Sequence, residues 1–403
     1  MDRIKQKVVE YYNEIVHVRR HLHRYPELSK QEFHTADYLC ELLDRIEGVS
    51  YRKGVGGTGI VGFLSGKNPE KQCVAIRAEM DALPLFEKTE LSFASCNEGV
   101  MHACGHDLHM AVQIGVLKIL SDLRCEFEGK VMFIFQPSEE EHPGGAYTML
   151  QENIFDENRP FAVFALHATP EMDTGTIGMK SGKYMASTDE LYLTVKGKGG
   201  HGATPHLNVD PVVISAHIIV ALQTLVSRNA DPSLPTTLSF GKIMGMGKTN
   251  IIPDEVKMEG ILRTFDEPWR KTCQRKISAI SQGIAQSMGG CCEMVVDEGY
   301  PYLNNHESLT EHVFTWATQY LTASCVQRLP LRMTADDFAY FAQKIPACYF
   351  RVGTRKKNAP ITNLHTDTFD LEEESMKTAM GVMAWNVFQC LKQGENSVMG
   401  GKD

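Results

Sequence analysis

The chain has 403 residues, room for two or three domains or for one large domain with an insertion. Hydrophobic residues make up 43% and charged residues 23%, a balance that excludes a mostly disordered chain. With 41 basic against 50 acidic residues the formal charge is -9, which argues against a nucleic-acid binder, since such a protein must neutralise phosphates. Charges interrupt the opening MDRIKQKVVEYYNEIVHVRR throughout, so it carries no signal-peptide apolar core. The longest apolar stretch, 212–226, is broken by His217 and Gln223. It falls short of the roughly 20 residues of a spanning helix, and no membrane association is expected. Eleven cysteines without framework spacing in an acidic chain point to a cytoplasmic protein with reduced thiols.

Apolar residues at helical spacing (Ile4, Val8, Tyr11, Ile15, Val18, Leu22) predict a helix over 3–24, stopped by Pro26. A second helix fits 31–46. Glycines at 54–59 lead into a strand at 60–64, and further strands are expected at 74–76, 131–135 and 161–166. The last two lack polar alternation, as strands buried on both faces do. A helix at 107–123 lies among them, and this alternation predicts an open, mainly parallel α/β sheet. After residue 186 the pattern changes. A strand at 190–196, a helix at 211–228, strands at 236–240 and 256–262, a helix at 269–288 and a strand at 292–297 follow the β-α-β-β-α-β order of a ferredoxin-like sandwich. The expected organisation is therefore a domain of 1–186 plus 299–403, interrupted by an inserted α+β domain at 187–298. The C-terminal part adds helices at 307–323, from 336 and at 371–391, with a strand at 349–352.

Sites in open α/β sheets gather beyond the carboxyl ends of the strands. Strand 74–76 is followed by Arg77-Ala78-Glu79-Met80-Asp81, strand 131–135 by Gln136-Pro137-Ser138-Glu139-Glu140-Glu141, and strand 161–166 by His167. Each end delivers a metal-capable or acid/base group. Cys104 and His106, two residues apart in a turn, suit zinc, cobalt, nickel or manganese, the thiolate favouring the softer ions. They equally suit a small buried Cys and a helix-start His. Asp107 is read as the helix cap, and His109 as a surface or packing residue. Three adjacent carboxylates after an apolar strand repel one another, and a nearby cation relieves that cost. One of Glu139 and Glu140 can then ligate while the other acts as a base. The blander reading is a solvated acidic turn. His167, and His365 in its loop, say little alone. The glycines of 197–202 contain GxGxxG, but no helix opens directly from them, so a dinucleotide loop is rejected. Arg263 can grip a carboxylate in bidentate fashion or form a surface ion pair.

RRHLHRYPELSKQEFHT (19–35), RAEMDALP (77–84), MHACGHD (101–107), QPSEE (136–140), LH (166–167), GKGGHGATPH (197–206), NIIPD (250–254), GILRTF (260–265), DDFAYF (336–341) and LH (364–365) occur in one order across nearly the whole chain. Together they resemble the amidohydrolase branch of the aminoacylase/carboxypeptidase metallopeptidase family. The resemblance implies two divalent metal ions, zinc or manganese with nickel or cobalt as options, held by Cys104, His106, Glu140, His167 and His365. It implies Glu139 as the general base on a metal-activated water, His201 as an oxyanion partner, Asn250 and Arg263 as carboxylate binders, and Asp81 as support behind the ligands. The inserted domain would act as lid and dimerisation unit of a homodimer or higher homo-oligomer.

The activity so implied is hydrolysis of the amide bond of a small N-acyl amino acid. A dipeptidase or carboxypeptidase on the same scaffold is the alternative, and a catalytically dead metal-binding or interaction protein a third. A cysteine hydrolase using Cys104 is disfavoured, because His106 two residues away is awkwardly placed as its base. Several positions depart from the branch pattern. Glu79 stands where Asp is usual, Leu108 follows CGHD, Glu141-His142-Pro143 replaces a glycine-rich continuation, and LHTDTFD replaces LHxPxFD. Glu79 adds a methylene near the implied metals, the other departures bear on substrate identity, and the implied ligands and base are all retained.

Overall fold

The computed structural model describes residues 1–156 and 158–400. The chain divides into two compact units. One comprises Met1–Gly182, Asn304–Leu331 and the segment from Tyr340 onward, and the other Lys183–Leu303 with Arg332–Ala339. The second unit begins before and ends after the expected 187–298, and it recruits 332–339 as well.

The first unit is built on an eight-stranded sheet. Its strands include β1 (Val49–Val55), β2 (Gly59–Ser65), β3 (Cys73–Glu79), β4 (Lys130–Gln136), β5 (Ala162–Asp173) and β6 (Ile177–Met179). The spatial order is β1-β2-β4-β3-β5, then Ala347–Arg355, β6 and Val326–Arg328. The central pairs β4-β3, β3-β5 and β5 with Ala347–Arg355 are parallel, while β1-β2 and β2-β4 are antiparallel. The fold is thus the expected mainly parallel α/β arrangement. Every residue of β3 is buried, and all of β4 but its first, which accounts for the apolar runs 73–76 and 131–135.

Helices cover this sheet. Helix α1 (Asp2–Arg24) turns Ile4, Val8, Ile15, Val18 and Leu22 inward, a single apolar stripe. Helix α2 (Phe33–Leu43) follows. Helix α3 (His106–Asp122) is buried on nearly all sides, packed between β3, α1 and the helix Ser375–Gln393. Register carries the site. Glu79 pairs with Gln136 and His167 with Arg351, so the residues that follow β3 and β4 emerge side by side. The Met80 N–H donates to Gln136 O at 2.8 Å.

The second unit has a four-stranded antiparallel sheet, ordered Thr236–Met244, Glu255–Thr264, Asp189–Lys196, Cys291–Glu298. With helices Pro211–Thr224 and Glu267–Ser287 it makes the β-α-β-β-α-β order. Asp210 and Asp266 cap the two helices, accepting from the Val212 and Trp269 N–H groups at 2.8 Å. Leu191, Leu193, Val195, Ile214, Ile218, Leu222, Met258 and Ile277 form the core. The helical run Pro211–Asn229 spans 19 residues with mean hydropathy 1.5. By length and composition it is long enough to cross a membrane, which the shorter apolar stretch read from sequence was not. Ile214, Ile218, Leu222 and Leu225 nevertheless lie in the unit's core, while Val212, Val213 and Val220 are exposed.

Candidate metal centre and active site

Local backbone geometry delivers the ligand-type side chains. Gly105, between Cys104 and His106, has φ +87°, and a Cβ there would stand 2.9 Å from Ala168 Cβ. Only glycine takes that conformation without strain, so α3 can start right behind Cys104. After β4 the chain turns through Ser138, itself at φ 53°. The Ser138 N–H donates to Glu32 Oε1 at 2.8 Å, and Ser138 Oγ accepts from the Lys30 N–H at 2.8 Å. Gly145 closes this turn, and a Cβ there would meet Pro137 O at 1.7 Å. His365 sits at φ 59° and its N–H donates to Ala103 O at 2.8 Å, which ties the C-terminal loop to the Cys104 turn.

These turns bring Cys104, His106, Glu140, His167 and His365 together. His106 Nδ1 donates to the Asp81 carbonyl at 2.8 Å and lies 3.3 Å from Asp81 Oδ1. His167 Nδ1 donates to the Ala168 carbonyl at 2.7 Å. Both rings are thereby fixed with Nε2 bearing the free lone pair. His167 Nε2 lies 3.4 Å from Cys104 Sγ, and His365 Nε2 lies 3.3 Å from that sulfur and 3.2 Å from Glu140 Oε1. His106 Nε2 is 4.0 Å from the same carboxylate oxygen. Buried His106 Nε2 and Glu140 Oε1 make no hydrogen bond. Such orphaned atoms are costly unless a cation takes them, and a sulfur, three imidazole nitrogens and a carboxylate are a donor set for soft or borderline divalent ions. The residues fit a metal centre.

Electrostatics point the same way. Burial, with the carboxylates of Glu140 and Glu139 beside it, pushes the Cys104 thiol well above its ordinary range. A bound cation reverses that order and favours the thiolate. Burial also raises the cost of charging Asp81, but the hydrogen bonds from His106, the Glu140 N–H (2.9 Å) and Ser29 Oγ (2.7 Å) outweigh it and hold the carboxyl below its usual value. Asp81 therefore touches two of the ligand-type residues at once. Glu139 is buried in the same group, with His106 and Glu140.

One sequence reading changes and another is narrowed. Asp107 does not cap α3: the N-cap is Gly105, without a side-chain bond. Asp107 Oδ2 instead accepts from Arg19 Nε at 2.9 Å and His23 Nδ1 at 3.0 Å, all three side chains buried. His109 is not at the surface. Its Nε2 accepts the Ala168 N–H at 2.9 Å, so its Nδ1 carries the proton and donates to Glu79 Oε2 at 2.9 Å. Both nitrogens are used, and His109 has no lone pair left for a metal. Glu79 also pairs with Arg77, whose Nε donates to Gln136 Oε1 at 2.8 Å. A polar chain thus runs from β4 through β3 and α3 to β5 beneath the ligands. Sequence reasoning missed it, together with Ser29 and Glu32. Ser29, Glu32, Arg77, Glu79 and Gln136 lie in segments whose wording marked the family, but their partners are distant in sequence.

In the second unit, His201 is exposed on a short strand paired with Ile251, and the Gly202 N–H donates to Asn250 O at 2.9 Å. His201 and Asn250 are therefore neighbours. The His201 ring is held by the Ala203 N–H, which donates to Nδ1 at 3.0 Å and leaves Nε2 to carry the proton outward. Arg263 lies within Glu255–Thr264, opposite Thr237. Burial pulls its guanidinium below the ordinary value.

The family description "Peptidase family M20/M25/M40" matches residues 75–385. N-acetyldiaminopimelate deacetylase of Priestia megaterium is 38% identical over 347 residues, covering 86% of this chain and 91% of that one. A solved chain from methicillin-resistant Staphylococcus aureus superposes with TM-score 0.90 at 33% identity, covering 97% of this chain and 99% of that one. A Bacillus subtilis protein described as a dinuclear metal binding peptidase superposes with TM-score 0.80 at 30% identity, covering 95% and 99%. This chain belongs to the peptidase family M20/M25/M40.

Proposed function

We propose that the protein hydrolyses the amide bond of an N-acyl amino acid, with Cys104, His106, Glu140, His167 and His365 holding two divalent cations, zinc or manganese. The observation that carries this reading is the gathering of those donor atoms around orphaned His106 Nε2 and Glu140 Oε1, joined to the 38% identity with a deacetylase. Bound divalent ions polarise a scissile carbonyl and acidify water. Glu139 takes the proton of the attacking water and hands it to the leaving amine nitrogen. Its carboxylate lies in one group with His106 and ligand Glu140, which puts it beside the attacking water. His201 donates from Nε2 to the developing oxyanion. Arg263 and Asn250 take the α-carboxylate of the amino-acid part. Asp81 holds His106 and Glu140 in place. The second unit serves as lid and dimerisation element, a role supported by the exposed Val212, Val213 and Val220 on its helix, and the protein acts in the cytoplasm.

The test is amine release from a panel of N-acyl amino acids and matching dipeptides, using metal-stripped protein reloaded with zinc or manganese. Turnover is expected only on reloading, fastest with an acyl amino acid, and lost by about 10³-fold or more in Glu139→Gln. Preference for dipeptides would replace the substrate assignment. Unchanged turnover in Glu139→Gln would remove the mechanism.

A further inference from the structure

Glu139 is bracketed in the chain by two residues that the segment 29–32 holds. On one side stands Ser138, with each of its polar groups engaged. Its N–H donates to Glu32 Oε1 at 2.8 Å and its Oγ to the same oxygen at 3.3 Å. Its Oγ accepts the Lys30 N–H at 2.8 Å, and its carbonyl accepts the Gly145 N–H at 2.9 Å. On the other side stands Glu140, whose N–H donates to Asp81 Oδ2, an oxygen that also accepts from Ser29 Oγ. Ser138 has φ 53°, a conformation that a residue other than glycine keeps only where its surroundings impose it. Glu32 is fully buried, and its second oxygen accepts from the buried Thr58 Oγ1 at 2.6 Å. No local duty explains these bonds. Glu32 occupies the N-cap position of α2, yet its side chain makes no capping bond. The N–H groups of that helix end are met by Glu27 instead, which accepts from His34 at 3.2 Å and from Thr35 at 2.8 Å. The Glu32 carboxylate reaches 106 residues along the chain to Ser138.

We propose that Glu32 is a positioning residue for the hydrolysis: through Ser138 it fixes the backbone from which Glu139 reaches the attacking water. The inference rests on Glu139 being the base. Because the peptide groups before and after Ser138 are both hydrogen-bonded, the Cα of Glu139 has one position. The two carboxylates beneath the turn divide the work. Asp81, steadied by Ser29, holds the ligand Glu140, and Glu32, aided by the Lys30 N–H, holds the residue before the base. Hydrogen bonds to a carboxylate are shorter and stiffer than those between neutral groups. A reacting group misplaced by about 1 Å loses on the order of 10²-fold in rate, so release of Ser138 lowers turnover rather than the binding of substrate or metal.

Steady-state kinetics of the full-length, metal-loaded protein on its best N-acyl amino acid test this. Glu32→Ala is expected to lower kcat about 10²-fold and Ser138→Ala about tenfold, with KM changed less than about threefold. Glu32→Gln, whose amide oxygen still accepts from Ser138, should bring kcat back to within about fivefold of the unmodified protein. A double-mutant cycle separates positioning from general support of the fold. In a Glu139→Gln background, Glu32→Ala should cost less than about threefold in kcat, since no base remains to be misplaced. Its effect on the melting temperature should be the same in both backgrounds. Metal affinity, read by competition with a chromogenic chelator, should change less than about threefold in each variant, because Asp81 and not Glu32 holds the ligand. Ser138→Ala keeps the backbone bonds of the turn and decides the matter if Glu32→Ala does not fold. An equal loss of kcat with and without Glu139, unchanged kcat in both Glu32→Ala and Ser138→Ala, or a fall in metal affinity as large as the fall in kcat overturns the proposal. Unchanged turnover in Glu139→Gln alone is a different result: it removes the assignment of the base, and this inference with it.

Discussion

His109 accepts the Ala168 N–H through Nε2 at 2.9 Å and gives its other proton to Glu79. Ala168 follows His167 on β5, so the ring fixes the strand end that presents a ligand-type side chain. Glutamine can reproduce this pairing, accepting with its carbonyl and donating with its amide, whereas leucine can do neither. His109→Leu is expected to lose about 10–100-fold in metal affinity, measured by competition with a chromogenic chelator, and His109→Gln to recover much of that. Equal loss in both variants would mean that volume, not hydrogen bonding, is what matters there.

His23 sits buried between Asp107 and Glu87. Burial opposes its charge, but the hydrogen bonds to these two carboxylates prevail and raise its pKa to about 9. A raised folded-state pKa stabilises fully below the unfolded value of about 6.5 and is lost as pH climbs through the folded one. Urea denaturation should therefore show stability falling between about pH 6.5 and 9, by on the order of 3 kcal/mol from this group. In His23→Gln the decline over that window should largely vanish.

Much of this was legible in the sequence. The central strands announced themselves through the apolar runs 74–76, 131–135 and 161–166, which burial on both faces permits. Glu139 and Glu140 stood out because they come just after such a strand, whereas His167, which lies within β5, said little alone. The Cys104 turn was legible from its place just before the helical periodicity of 107–123. Long-range polar pairing left no such trace. Asp107 has the residue type and position of a helix cap, and nothing local reveals that Arg19 and His23, more than 80 residues away, claim its carboxylate. His109 stayed open between surface and packing because one helical position cannot tell burial on every side from exposure. The helix expected at 211–228 is present, but its last turn, Leu225–Asn229, is a π-helical one, which residue type and spacing do not reveal.

Gly145 is a steric requirement, since a Cβ would collide with Pro137 O. Its N–H also donates to Ser138 O at 2.9 Å. Gly145→Ala must therefore push the 137–144 turn outward, carrying Glu139 and Glu140 with it. A destabilisation of about 1–3 kcal/mol is expected by urea denaturation, together with weaker metal binding. A stability change within experimental error would show that the turn is softer than its packing implies.

A bound metal that joins five side chains stabilises the folded chain in proportion to its affinity. Chelation should lower the melting temperature, and zinc or manganese should restore it. In Cys104→Ser, with a harder and weaker ligand, the restored increment should shrink, most visibly with zinc. A melting temperature indifferent to chelator in the unmodified protein would exclude metal at this cluster.

The hydrogen bond from His365 to Ala103 joins positions more than 260 residues apart, with the whole second unit threaded between them in the chain. During synthesis on the ribosome, Cys104, His106, Glu140 and His167 emerge long before His365. From His167 to His365 the nascent protein carries an unfinished donor set, with the parallel partner of β5, Ala347–Arg355, still to come for most of that stretch. The threading order thus postpones completion of the donor set until the second unit has been made, so that translation products ending before residue 365 are born without it.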